Sequence, residues 1–374
     1  MVAQKQVQVV DLTTQYARLK SEIDPAIQSV IDQGVYIGGE TVKRFSKSLA
    51  AYLDCSHVIT CANGTDALQI AFQALDLEIG DEIIVPAFNY VAAAEAAALL
   101  HLKPVFVDVQ KDTFNMDPAQ IEKAITPKTR VIVPVHLFGQ GCDMEAIMDV
   151  AIKHQLYVVE DNAQAIGANC TTGKYGAKRL GTIGNIGITS FFPSKNLGCM
   201  GDGGALMTND SGLATHIQML ANHGQEVKYK YQKIGVNSRL DTIQAAILEV
   251  KLRHLDDLTQ RRQNAAASYD KALSGRTDLT IPFRTPGSSH VFHQYTLTLQ
   301  SPEARTSLKQ KLGEMGIQAM IYYPKSLHLQ EAYQYLGYKP GDFPISEWLS
   351  ERVLSLPMHS ELDEETLAYV AGAV

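Results

Sequence analysis

Val131-Ile132-Val133-Pro134-Val135 is apolar at every position, and that run decides the fold class. A strand with one wet face alternates polar and apolar side chains, whereas a strand of a parallel sheet covered on both faces does not. Working outward, strands are expected at 57–60, 82–86, 105–109, 131–135 and 156–160. Helices are expected between them. The segment 66–75 places Leu68, Phe72 and Leu75 on one face, 90–101 is rich in alanine, and 118–125 and 142–154 follow. Asp117 suits an N-cap, with Pro118 at the first helical position. Four strand–helix repeats imply a doubly wound α/β domain.

Beyond residue 167 the texture changes, with ten glycines among the 38 residues from Gly167 to Gly204. A helix is expected at 213–222 and one or two long helices over 239–273. A strand at 291–299, a helix at 302–315, a strand at 318–323 and a terminal helix after Glu361 complete the pattern. The expected organisation is a large domain over 1–250, with a mostly parallel sheet flanked by helices, and a smaller C-terminal α/β domain over 251–374.

The chain has 374 residues, 45% hydrophobic and 20% charged, with 33 Lys+Arg against 40 Asp+Glu and a net charge of −7. That composition excludes disorder, collagen-like structure and coiled coil. A net negative chain argues against nucleic-acid or anionic-membrane binding, which needs a basic face. Cys55, Cys61, Cys142, Cys170 and Cys199 are odd in number and contain no Cys-x-x-Cys pair, which favours reduced thiols in a cytosol. Residues 1–12 read as no leader peptide. The longest candidate apolar stretch, 90–100, carries Glu95 and is too short to span a membrane. The expected location is cytoplasmic.

Three stretches can carry chemistry. Ala62-Asn63-Gly64-Thr65-Asp66 lies between a strand and a helix, where free N–H groups and the dipole end bind phosphate. The same residues also suit a plain N-cap. Asp161, in Glu160-Asp161-Asn162-Ala163-Gln164, lies at the C-terminal end of a buried strand, where α/β sheets place ligands. It can bind a metal, pair with a cationic ring nitrogen or cap a turn; no second carboxylate cluster accompanies it, so no metal site is expected. Lys195, in Ser190-Phe191-Phe192-Pro193-Ser194-Lys195, is either a loop lysine or an amine whose pKa is lowered for Schiff-base chemistry. The glycines after it do not form a dinucleotide motif, and no Walker loop, Gly-x-Ser-x-Gly elbow or His-Glu-x-x-His is present. A phosphate turn, an acid and a lysine 34 residues after it are together the parts that bind pyridoxal phosphate, PLP.

The sequence resembles the DegT/DnrJ/EryC1/StrS sugar aminotransferases, which are fold type I PLP enzymes. The resemblance runs from Asp11-Leu12 and Tyr36-Ile37-Gly38-Gly39 to Leu354-Ser355-Leu356-Pro357-Met358-His359. Its motifs include Asn63-Gly64-Thr65-Asp66-Ala67-Leu68, the Asp161 and Lys195 segments, Gly201-Asp202-Gly203-Gly204-Ala205 and Gly235-Val236-Asn237-Ser238-Arg239-Leu240-Asp241. The resemblance implies that Lys195 bonds the cofactor and moves the proton, Asp161 pairs with the ring nitrogen, and Gln164 bonds the ring hydroxyl. It further implies that Gly64, Thr65 and Ser190 hold the phosphate, that Phe88 occupies the ring-stacking position, and that Asn237 reaches in from a second subunit. A homodimer is then the smallest active unit.

By the same resemblance the amino donor is L-glutamate and the acceptor a nucleotide-linked keto-sugar. Phe192 in place of a motif histidine, and Gly201-Asp202-Gly203-Gly204, resemble members that aminate C3 of UDP-linked 2-acetamido-2-deoxy-3-keto sugars, in routes to lipopolysaccharide or other surface polysaccharide. Uronate-specific members carry His-Tyr-Pro and use the arginine of Asn-x-Arg. Here Arg239 is present but the segment reads Tyr322-Tyr323-Pro324, which leaves both the hexose and the hexuronic acid open. A 4-keto sugar or keto-cyclitol aminotransferase and a non-catalytic regulator are the rival readings. Tyr322 and Tyr323 read as substrate contacts or core aromatics, His136 and His328 as site or structural histidines, and Arg239 as a substrate contact or the partner of Asp241. Asp256, Asp257, Arg261 and Arg262 read as a solvated helix face.

Overall fold

The computed structural model describes residues 6–374, so the reading of residues 1–12 lies in part outside it. Asp11 opens α1 (Leu12–Gln33) by accepting the Thr14 N–H at 2.9 Å, and Gly34 closes it at φ 66°. α2 (Gly39–Leu53) follows. Strand and helix then alternate: β1 (His57–Cys61), α3 (Gly64–Ala74), β2 (Glu82–Pro86), α4 (Ala92–Leu99), β3 (Lys103–Val107), α5 (Pro118–Ala124), β4 (Thr129–Ile132), α6 (Met144–His154) and β5 (Tyr157–Asp161). β6 (Ile186–Ser190), β7 (Gly204–Thr208) and α7 (Ser211–Leu220) close the series. Asp117 caps α5 with Pro118 at its start, as expected.

These strands form one sheet in the order β1-β7-β6-β5-β4-β2-β3. Pairs β2–β3, β2–β4, β4–β5 and β5–β6 are parallel, while β7 is antiparallel to both β6 and β1. Only β7 is reversed, so the sheet is mostly parallel. The apolar runs are buried on both faces. Val131, Val133, Ile83 and Val85 join one core, and Ile132 and Ile84 join the core on the other side. β4 stops at Ile132, short of the expected 135, because Pro134 has no N–H to continue the ladder. β3 lies two residues earlier than expected, and Val109 instead bridges Met116 in the following turn.

A short hairpin, β8 (Gln225–Val227) and β9 (Lys230–Tyr231), precedes α8 (Thr242–Arg253) and α9 (Leu255–Leu273). The expected division near residue 250 falls in α8, whose Leu248 and Leu252 pack with Phe45 and Phe191 of the large unit. The remainder comprises β10 (Leu279–Thr280), β11 (Tyr295–Leu299), α10 (Pro302–Glu314), α11 (Pro344–Arg352), β12 (Val353–Leu356) and α12 (Glu364–Ala373). β10-β11-β12 make an antiparallel sheet over a second core, which Val7 joins by bridging Ile317.

Two expectations fail here. Residues 318–323 form no strand. Met320 makes a single bridge to Ser355, and the chain then leaves the sheet edge to place Tyr323 against Gln164. Arg262 is not on a solvated face; it is buried and donates to the carbonyls of Phe292 and Met358 at 3.1 and 2.8 Å. Asp257 and Arg261 of the same run do form an exposed pair at 2.8 Å.

Candidate active site

The C-terminal end of β5 presents two neighbouring carboxylates to opposite sides of the strand. Glu160 is fully buried and takes four hydrogen bonds, from the N–H groups of Gly181 (2.8 Å), Ile183 (2.6 Å) and Gly184 (2.6 Å) and from His136 (3.0 Å). His136 Nδ1 accepts the Cys142 N–H at 3.2 Å, which puts the ring proton on Nε2, facing Glu160. That makes His136 structural. Asp161 takes one hydrogen bond, from the Ala163 N–H at 3.0 Å. Burial pushes its carboxyl above the usual carboxylate range, against the pull of that N–H, Lys195 and His136.

β6 runs beside β5 and ends at Ser190, which begins the turn carrying Lys195. Phe191 anchors this turn, fully buried with its ring edge-on to Phe45 at 5.5 Å. The Lys195 N–H donates to the Phe192 carbonyl at 2.8 Å, and Asn196 Nδ2 to Val291 at 2.9 Å. Burial lowers the Lys195 ammonium to about 8, with Asp161 acting in the opposite sense. The lysine and the acid are therefore within electrostatic reach of each other.

The N-terminus of α3 meets the end of β6 closely. Asn63 caps the helix by accepting the Asp66 N–H at 2.8 Å, and the earlier N–H groups of Gly64 and Thr65 have no intrahelical acceptor. A Cβ on Gly64 would lie 2.9 Å from Ser190 Cβ, and one on Gly204 2.5 Å from the Asn63 carbonyl carbon. Both glycines are needed to bring the helix start against the Ser190 hydroxyl. Gly64, Thr65 and Ser190 thus form one group at the sheet end that carries Asp161.

Gln164 is held at both ends. Its Oε1 accepts the Phe138 N–H at 2.8 Å, and its Nε2 donates to Tyr323 Oη at 3.1 Å. Phe88 is buried between Tyr323, Phe114 and Phe138, with ring centroids 6.1, 6.4 and 6.5 Å away. Tyr322 packs edge-on to Tyr323 at 5.9 Å. Tyr90, unnoticed in the sequence, is exposed and tilts toward Tyr323 at 6.2 Å. Buried His293 was also missed; Lys195 acts on it electrostatically, and its Nδ1 has no partner among the described residues. Neither carried a sequence signal, since contact between distant segments singles them out.

Asn237 and Arg239 do not join this group. Both are exposed, while Ser238 between them is fully buried against the α3 turn. Arg239 makes no ion pair with Asp241 among the described residues. His328 is buried, bonds Glu347 at 3.1 Å and packs on Phe343, a structural arrangement. Among the described residues no group of His, Cys, Asp and Glu could hold a metal. No described helix is long and apolar enough to cross a membrane.

The family model for the DegT/DnrJ/EryC1/StrS aminotransferases matches residues 17–374. The chain belongs to this family. A "pleiotropic regulatory protein" of Geobacillus stearothermophilus is 47% identical, over 98% of this chain and 97% of its own. The UDP-2-acetamido-2-deoxy-3-oxo-D-glucuronate aminotransferase of Pseudomonas aeruginosa is 42% identical, over 98% and 99%. The UDP-N-acetyl-3-dehydro-alpha-D-glucosamine 3-aminotransferase of Acidithiobacillus ferrooxidans is also 42% identical, over 98% and 97%. The crystal structure of S. venezuelae DesV in complex with a ketimine intermediate superposes with a TM-score of 0.94, at 39% identity, over 98% and 97% of the two chains.

This aminotransferase uses PLP. The residues fit the cofactor: a helix start without side-chain obstruction beside a serine hydroxyl suits its phosphate, and a desolvated Asp161 suits a cationic ring nitrogen.

Proposed function

We propose that the enzyme moves the amino group of L-glutamate to C3 of a UDP-linked 2-acetamido-2-deoxy-3-keto sugar, hexose or hexuronic acid. In this reading it acts as a cytosolic homodimer that supplies amino sugars for surface polysaccharide or lipopolysaccharide. The observation that carries the C3 assignment is the pair of relatives, equal in identity, whose names specify UDP-linked 3-oxo sugars.

When bound, PLP supplies an electron sink that makes proton removal next to nitrogen accessible. Lys195 is the base and acid for that proton, because its lowered pKa leaves a useful fraction of free amine near neutral pH. Asp161 keeps the ring nitrogen protonated. The Gly64 and Thr65 N–H groups with Ser190 Oγ take the phosphate, and Gln164 Nε2 offers a hydrogen bond to the ring hydroxyl. Tyr322 and Tyr323 donate hydroxyl hydrogen bonds to the sugar, since burial holds both phenols protonated. Arg239, exposed on its own chain, is the cation available to a sugar carboxylate or diphosphate across the dimer.

The regulator reading draws on the name of the Geobacillus relative. The intact Lys195 and Asp161 argue against it, because a binding module needs no desolvated lysine–acid pair. The deciding experiment supplies holoenzyme with L-glutamate and, in parallel, the 3-keto forms of UDP-GlcNAc and its uronate, a 4-keto nucleotide sugar and a keto-cyclitol, with product analysis by mass and NMR. A 3-amino product is expected. Turnover of only a 4-keto sugar or a keto-cyclitol would overturn the proposal.

A further inference from the structure

The segment carrying Asn237 and Arg239 is pinned by its backbone to the end of α7. The Val236 N–H donates to Leu220 at 2.8 Å, the His223 N–H to Val236 at 2.8 Å, and the Ser238 N–H to Ala221 at 3.0 Å. Its flanking Val236 and Leu240 sit against the apolar cores. One polar side chain of the segment is aimed inward. Ser238 is fully buried; its Oγ accepts the Ala62 N–H at 3.0 Å and donates to Asp66 Oδ2 at 2.6 Å.

Ala62 and Asp66 bracket the phosphate turn. Asp66 is the third residue of α3, and its own N–H is held by the Asn63 cap at 2.8 Å. A displacement of that turn therefore reaches Ser238 through two hydrogen bonds. It then reaches Asn237 and Arg239, the exposed neighbours on either side. We infer that Ser238 and Asp66 are positioning residues that couple the phosphate turn of one subunit to the Asn237 and Arg239 it presents to the partner's site.

The inference rests on the dimeric reading above, in which those two residues act across the interface. It adds that the two sites of a dimer are mechanically linked, with the link running through a buried serine that touches neither cofactor nor substrate.

Mixed dimers of separately tagged chains test it. In the first, a chain carrying both Lys195→Ala and Ser238→Ala pairs with a wild-type chain. The one Lys195 then lies in a chain with an untouched turn, but receives Asn237 and Arg239 from the altered partner. PLP affinity is read by titrating the visible absorbance that only a Lys195-bearing site gives. The reference is the dimer whose partner carries Lys195→Ala alone. About tenfold weaker PLP binding is expected in the first dimer, the scale of one buried hydrogen bond left unmade. Asp66→Ala in place of Ser238→Ala should give the same defect in trans.

Native mass spectrometry confirms pairing and a melting curve confirms folding. If Ser238→Ala fails to pair, the Asp66→Ala dimer carries the test. Unchanged affinity in the mixed dimer, or a loss seen only when the altered chain also holds Lys195, overturns the coupling. Unchanged PLP affinity when the partner carries Lys195→Ala with Asn237→Ala would overturn the across-interface reading instead, so the two failures are separable.

Discussion

The two sides of the end of β5 show how one strand serves two purposes. Glu160 and Asp161 are consecutive, both carboxylates and both buried. On one side Glu160 has four donors and pins the glycine-rich turn at 181–184 to His136. On the other side Asp161 has one donor, and burial pushes its carboxyl upward. Burial does not separate the two. The separation lies in donor supply, because a carboxylate surrounded by N–H groups is finished, while a desolvated one with a single donor is completed by a cation.

If the Asp161 side is the reacting one, its disruption should dominate. Lys195→Ala should abolish repeated turnover, leaving at most a single half-reaction, read by product formed per site in excess glutamate and keto-sugar. Asp161→Asn comes next. Losing one member of a buried charge pair costs about 3–5 kcal/mol, which corresponds to a fall of about 10²–10⁴-fold in kcat. A loss below about tenfold would mean that Asp161 is another structural carboxylate and that the contrast fails.

The pH dependence gives a tenfold effect. In the proposed role the free amine of Lys195 is the form that would bond the cofactor, and burial lowers this ammonium to about 8. Protonated amine predominates below that value, so the rate of PLP reconstitution should rise with pH and level off above about 8. At pH 7 about a tenth of the plateau rate is expected, one unit below the pKa. Asp161 favours the ammonium, so Asp161→Asn should move this midpoint to lower pH, whereas Glu160→Gln should leave it in place. Stopped-flow absorbance on apoenzyme across pH 6–9 would read both.

Much of this arrangement was legible in the sequence for a physical reason. Strands buried on both faces cannot hide their composition, so the runs around Ile84 and Ile132 announced a covered parallel sheet. Gly64, Asp161 and Lys195 stood out because each follows or ends a strand, where local chain geometry dictates residue type, whereas Ser190 came only from the family resemblance. What was not legible depends on long-range contact. Residues 318–323 have the composition of a strand, yet the Gln164–Tyr323 hydrogen bond draws their end away from the sheet. Arg262 lies in a run of charges, but two backbone carbonyls distant in sequence turn it inward. Ser238 carried no reading of its own in the sequence, and only its bonds to Ala62 and Asp66 distinguish it.

The smallest effect on catalysis should come from Glu160→Gln, which tests the other half of the contrast. An amide keeps one accepting oxygen, but its NH₂ group must face N–H donors. Either Gly181 and His136 or Ile183 and Gly184 then lose their acceptor. Unpaired buried donors cost about 1–3 kcal/mol each, so a fall in melting temperature on the order of 5 °C is expected. The damage is to the turn and to His136, neither of which touches the reacting atoms, so kcat per folded chain should stay far closer to wild type than in Asp161→Asn. Equal losses of kcat in both variants would show that the two sides of β5 act as one unit, with the turn at 181–184 setting the position of Asp161.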